Sequence, residues 1–191
     1  MPDALAPFSP ATQQWFRNAF GTPTAAQEGA WESISKGENA LIIAPTGSGK
    51  TLAAFLWALD ALYRDKSTEP DQRELTTSAQ ARKNGDVRET HKTKKQRAGG
   101  TRILYVSPLK ALGADVERNL RAPLAGIAYT AKESGRTPPD ITVGIRSGDT
   151  PARERRQLIS NPPDILLTTP ESLYLMLTSA VRTTLSTVET V

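Results

Sequence analysis

The sequence predicts an α/β protein: a parallel sheet with helices packed on its faces. Three observations carry that expectation. Short apolar runs recur at residues 40–43, 102–106, 141–145 and 164–167. Amphipathic stretches at helical spacing separate them, and strands alternating with helices require crossover connections, hence parallel pairing. Three of the runs also end in small or hydroxylated residues followed directly by helix-start chemistry, at 44–51, at Ser107-Pro108 and at Thr169-Pro170.

The elements follow in order. Residues 1–10 are rich in proline and expected to be extended. Trp15, Phe16, Ala19 and Phe20 fall at helical spacing over 12–20, and Gly21 stops that helix. A second helix runs over 24–35 and ends at Gly37. The run 40–43 reads as a strand, followed by a glycine-rich turn and a helix from Leu52 to Tyr63. From 64 to 100 apolar periodicity vanishes, leaving a stretch too polar to offset its ordering entropy and read as a disordered basic insertion. Order resumes with the strand 102–106, and a helix that opens at Ser107-Pro108 carries Leu109, Leu112, Val116 and Leu120 on one face. Residues 141–145 form a strand, 146–151 a turn leading into a helix, 164–167 a buried strand, and 170–179 a last helix.

Composition narrows the function. With no cysteine and the lone histidine His91, thiolate zinc sites, catalytic thiols and Ser-His-Asp triads are excluded or improbable. No stretch approaches a membrane span and the N-terminus lacks a basic leader, so no membrane partner and a cytoplasmic location are expected. The net charge of +4 belongs to the insertion: nine basic and five acidic residues lie between Lys66 and Gly99, and the remaining charges balance at fifteen each. Charge therefore says nothing about a basic groove on the folded core. Within the insertion Arg82, Lys83, Lys92, Lys94, Lys95 and Arg97 would suit salt-dependent phosphate contacts, but a solvated loop is the simpler reading.

The chemistry concentrates at Ala44-Pro45-Thr46-Gly47-Ser48-Gly49-Lys50-Thr51. Gly47 and Gly49 let successive N–H groups turn toward one anion, and the helix that begins at Lys50 aims its positive end at the same point. Lys50 would reach the β- and γ-phosphates of a nucleotide, and the Thr51 hydroxyl would help hold Mg²⁺. Ala44 stands where the strict phosphate-loop pattern has glycine, a small departure because the later glycines do the tight turning. The tips at Ser107-Pro108 and Thr169-Pro170 lack such glycines and suit single phosphates of a polynucleotide. Taken singly, each is also ordinary helix-start chemistry.

Thr24-Ala25-Ala26-Gln27, the loop 44–51, Ser107-Pro108-Leu109-Lys110-Ala111-Leu112, Arg146-Ser147-Gly148-Asp149-Thr150 and Thr168-Thr169-Pro170-Glu171-Ser172-Leu173 together resemble the ordered motifs of superfamily-two helicases. The wording is most similar to the large helicase-related (Lhr) branch, close to the DEAD/DEAH-box proteins. The resemblance spans nearly all of the chain except the insertion, and order and spacing match as well as content. It implies the P-loop NTPase fold of the first RecA-like domain of a two-domain motor: residues 1–39 as N-terminal helices with an adenine-reading motif, and 40–191 as a partial ATP-binding domain interrupted at 64–100. Gln27 would read the adenine and Phe8 would stack on it. By residue chemistry alone, Thr24-x-x-Gln27 is a capping box, and both roles are compatible. Pro45, Thr46, Gly47, Ser48, Gly49, Lys50 and Thr51 would hold ATP, with Lys50 and Thr51 catalytic and Thr51 on the metal. Pro108, Leu109, Lys110, Arg146, Gly148, Thr169 and Pro170 would lie along one strand of single-stranded or partly duplex nucleic acid, with the likeness leaning toward DNA and repair.

In that family a strand bearing an Asp-Glu pair comes next, and it orients the attacking water. No acidic pair follows an apolar strand in these residues, so the sheet is expected to be incomplete toward its C-terminal end and the second motor domain to be supplied from elsewhere. The function read from the sequence is the ATP-binding part of an ATP-dependent helicase, inactive in hydrolysis by itself and needing the remaining helicase domains. A non-catalytic nucleotide or nucleic-acid binding module is the alternative, and a different P-loop enzyme such as a kinase lacks an acceptor-binding arrangement.

Overall fold

A computed structural model describes residues 3–68, 100–108 and 114–191. Its elements are α1 (Pro10–Phe20), α2 (Ala25–Ile34), α3 (Lys50–Thr68), β1 (Ile103–Val106), α4 (Ala114–Glu133), β2 (Val143–Arg146), α5 (Ala152–Ser160), β3 (Ile165–Thr168), α6 (Pro170–Leu177) and a 3₁₀ turn over Ala180–Leu185. The described strands form one parallel sheet in the order β1-β3-β2. β3 is buried along its whole length, as a central parallel strand must be.

Helix ends obey local chemistry. Ser9 caps α1 by accepting the Thr12 N–H, Pro10 fills the first turn, and Gly21 closes it at φ 76°. α2 opens with a complete capping box between Thr24 and Gln27. Thr169 caps α6 ahead of Pro170.

Alternation along the strands builds two core layers. Ile103, Ile165 and Leu167 meet Phe55, Leu59 and Leu62 of α3 and Leu120 of α4, while Leu104 and Leu166 face Met176 of α6. A third cluster joins Leu5, Phe8, Phe16 and Trp31 to Leu56, Tyr63 and Ile127, so the N-terminal helices share a core with α3 and α4. Gly126 permits this approach, because a Cβ there would collide with the Trp15 indole of α1. No helix among the described residues is long and apolar enough to cross a membrane.

Four expectations are corrected. Residues 40–43 form no strand and pair with no described strand, and Leu41 and Ile43 are 87% and 85% exposed. An apolar run becomes a strand only where a neighbouring ladder receives its N–H and C=O groups. Residues 3–9 are not a plain extended lead. They fold into turns that bury Leu5 and Phe8, with Asp3 Oδ1 accepting the Leu5 N–H and Asp60 accepting the Ser9 N–H. α3 continues five residues past Tyr63 because its polar end finds partners. Lys66 pairs with Asp164 at 2.7 Å and Arg102 with Asp65 at 2.7 Å. β2 begins two residues later than read, at Val143, and ends one residue later, at Arg146. The basic residues assigned to the insertion, and those placed at Leu109, Lys110 and Leu112, lie outside the described residues.

Candidate nucleotide and nucleic-acid site

α3 runs antiparallel to the strands. Its C-terminal end, at Asp65 and Lys66, bonds to Arg102 and Asp164, which precede β1 and β3. Its N-terminal end, at Lys50, therefore points to the edge where the strands finish. Register fixes that edge: Val106 and Arg146 both align with Thr168, so Ser107, Ser147 and Thr169 emerge side by side. Ligands bind at such carboxyl edges in open parallel sheets.

The loop before α3 has the backbone that an anion cradle needs. Gly47 and Gly49 sit at φ 85° and 79°, where side chains are strained. Pro45, Thr46 and Thr51 are exposed. Lys50 folds back so that its Nζ donates to the carbonyls of Ala44 and Pro45, both at 2.6 Å. Ser48 Oγ donates to the Pro45 carbonyl at 2.8 Å, and Thr24 Oγ1 to the Ser48 carbonyl at 3.0 Å. Here the lysine ammonium occupies the mouth of the loop with its own carbonyls as partners.

Gln27 connects α2 to this loop. Its Oε1 accepts the Thr24 N–H at 3.0 Å and its Nε2 donates to the Gly49 carbonyl at 3.4 Å, with the residue 4% exposed. A Cβ on Gly49 would run into that amide. The capping-box role is present in full, and the amide stands directly against the phosphate loop. Phe8 is a correction. Its ring is 3% exposed and packs edge-on against Trp31 and Trp57, at centroid distances of 4.9 and 5.4 Å. It offers no open face to a base.

The strand tips are tied to one another. The Ser107 N–H donates to the Thr168 carbonyl at 3.0 Å, and Thr168 Oγ1 donates to the Arg146 carbonyl at 2.8 Å. Thr169 is buried, and its hydroxyl accepts the Ser172 N–H, whereas Pro108, Pro170 and Gly148 are exposed. Arg146 is half-buried, and its Nη1 has no hydrogen-bond partner. Burial, and next the neighbouring Arg155 cation, push its pKa below the ordinary guanidinium value. Thr168, read in the sequence only as part of a motif, and Arg155 were given no site role there. Arg155 lies near the start of α5 beside the first-turn acid Glu154, and nothing in the local sequence singled it out.

A glycine-turned loop at a helix N-terminus, on the edge where parallel strands end, defines a P-loop nucleotide-binding domain of the RecA-like kind. The chain belongs to the DEAD/DEAH box helicase family, which matches residues 24–191. It is 54% identical to the Lhr helicase/probable uracil glycosylase of Mycolicibacterium smegmatis, over 99% of this chain and 11% of that protein. It is equally 54% identical to the Lhr helicase/uracil glycosylase of Escherichia coli, again over 11% of the relative's length. Among solved structures, that of Mycobacterium smegmatis helicase Lhr bound to ssDNA and AMP-PNP matches with a TM-score of 0.76 and 52% identity, over 97% of this chain and 20% of that one. The DUF1998 helicase MrfA bound to DNA shares the fold at a TM-score of 0.60 and 21% identity. The chain thus spans a small part of the relatives that it matches.

Proposed function

We propose that the chain is the ATP-binding part of the first motor domain of an ATP-dependent helicase, acting in the cytoplasm on single-stranded or partly duplex nucleic acid. The observation that carries this reading is the shared edge: a phosphate loop and three strand tips open on the same side of one sheet. On binding, the triphosphate would take over the Lys50 ammonium from the Ala44 and Pro45 carbonyls. Backbone N–H groups at Gly47 and Gly49 would close on the phosphates. Thr51 is exposed at the start of α3, and its hydroxyl would contribute to holding Mg²⁺, which neutralises charge on the phosphates when bound. Gln27 would exchange part of its capping role for the adenine edge.

Pro108, Leu109, Lys110, Arg146, Gly148, Thr169 and Pro170 would follow the sugar-phosphate backbone. Such contacts position a strand without reading its sequence. The relative bound to ssDNA supports DNA as the partner. Among the described residues no strand bears an acidic pair to orient water, so on this reading the chain by itself would bind ATP without turning it over. Hydrolysis would need the remaining helicase domains.

A titration with a fluorescent adenine nucleotide tests the reading. Lys50→Ala removes a charge-assisted contact and should weaken binding by about 10- to 100-fold. Equal affinity in the two proteins would overturn it, and ATP turnover by the purified chain that depends on Lys50 would overturn the claim of inactivity.

A further inference from the structure

The turn between β2 and α5 is held by one side chain. Arg155 Nε donates to the Thr150 carbonyl at 2.7 Å and its Nη2 to the Gly148 carbonyl at 2.6 Å, so a single planar fork spans the turn. The Ser147 N–H is taken by Thr150 Oγ1 at 2.8 Å, and the Asp149 N–H by Ser147 Oγ at 3.3 Å. The carbonyls that would repel a phosphate are thereby bound to a cation.

Helix stability does not explain this arrangement. α5 begins at Ala152 behind an N-cap, Pro151, that makes no side-chain cap, and Arg155, beside the first-turn acid Glu154, gains nothing from the helix dipole. Beside the fork stands Arg146, with a buried Nη1 that lacks a partner and a second guanidinium as its charged neighbour. Two adjacent cations and an unsatisfied N–H are costly until an anion arrives. A phosphate oxygen would satisfy both.

We propose that Arg155 is a positioning residue for nucleic-acid binding, holding the turn 147–150 in the shape that presents Arg146 to a backbone phosphate. The inference rests on the proposed strand-binding role of this turn. It differs in giving Arg155 no contact with the nucleic acid: Arg155 acts through the geometry of its neighbour.

The experiment uses the full-length protein with Arg146→Ala, Arg155→Ala, Arg155→Lys and the double alanine variant. It measures affinity for a fluorescein-labelled oligo(dT) across a salt series, affinity for a fluorescent adenine nucleotide without DNA, and thermal melting. Arg146→Ala should weaken DNA binding by about 10-fold and lower the salt slope by about one. Arg155→Ala should do the same, with the double variant no weaker than either single one and nucleotide affinity unchanged. Arg155→Lys keeps the charge but not the fork, so it should remain weak.

Full rescue by lysine, or additive losses in the double variant, would overturn positioning in favour of direct attraction. A loss with Arg146→Ala and none with Arg155→Ala would sink this inference while leaving the helicase reading intact. No loss with either would remove the turn from the nucleic-acid path and take both down. Should Arg155→Ala melt early, Arg155→Gln, which retains one donor, replaces it in the same comparison.

Discussion

At Gln27 the side-chain amide is already engaged at both ends, with the Thr24 N–H on one side and the Gly49 carbonyl on the other. Capping and the proposed adenine reading would therefore compete for the same atoms, and two variants separate them. Thr24→Ala removes the cap and should cost about 1 kcal/mol of stability while sparing nucleotide choice. Gln27→Ala should cost a similar amount and also erase a preference for ATP over GTP. An unchanged ATP-to-GTP ratio would remove Gln27 from base recognition. Gly49→Ala places a Cβ at φ 79° and against the Gln27 amide, so it should lose about 1–3 kcal/mol, read by denaturant melts, together with nucleotide binding. The loop residues were legible in the sequence because glycine, lysine and threonine at that spacing act locally. Phe8 was not, since only tertiary packing decides whether an aromatic ring faces a base or, as here, Trp31 and Trp57.

At the scale of elements, the join between the N-terminal turn and α3 rests on Asp60. Its carboxylate is fully buried, accepts the Ser9 N–H with both oxygens at 3.1 Å, and pairs with Arg64 Nε at 3.1 Å. Asp60→Ala leaves a buried N–H without a partner and should cost about 1–3 kcal/mol. Hydrogen exchange at Ser9 should accelerate with it, and unchanged exchange would show that the turn is held otherwise. The starts of α2 and α6 and the stop of α1 could be read from caps, proline and glycine because that chemistry spans only a few residues, whereas the start of α1 at Pro10 behind Ser9 was placed two residues late. The run 40–43 could not be assigned the same way. Strand identity depends on a neighbour, and apolar composition alone cannot supply one. The end of α3 was equally hidden, because Lys66 and Asp65 look like loop residues until Asp164 and Arg102 come into reach.

Across the whole molecule, the parallel alternation was readable, but the strand order β1-β3-β2 was not, since crossover connections leave little trace in sequence. The same scale shows surfaces that want cover. Leu41 and Ile43 stand out on the unpaired segment, and Tyr174, Leu175 and Leu177 are exposed on α6. Expressed by itself, the chain should self-associate. Replacing Leu41 and Ile43 with lysine should shift light scattering toward monomer while moving stability by no more than about 0.5 kcal/mol, as expected for exposed positions. Continued aggregation of that double variant would direct attention to α6.

The inward-folded Lys50 alters what a binding curve at this loop records. On the proposed reading, each molecule of nucleotide would first dissolve two short bonds within the protein, so the measured constant would be a difference between two sets of contacts. Shortening the side chain removes both sets at once. A Lys50→Ala protein is altered even before ligand is added, with two carbonyls released to water, and calorimetry should find the heat of binding changed by more than the affinity suggests.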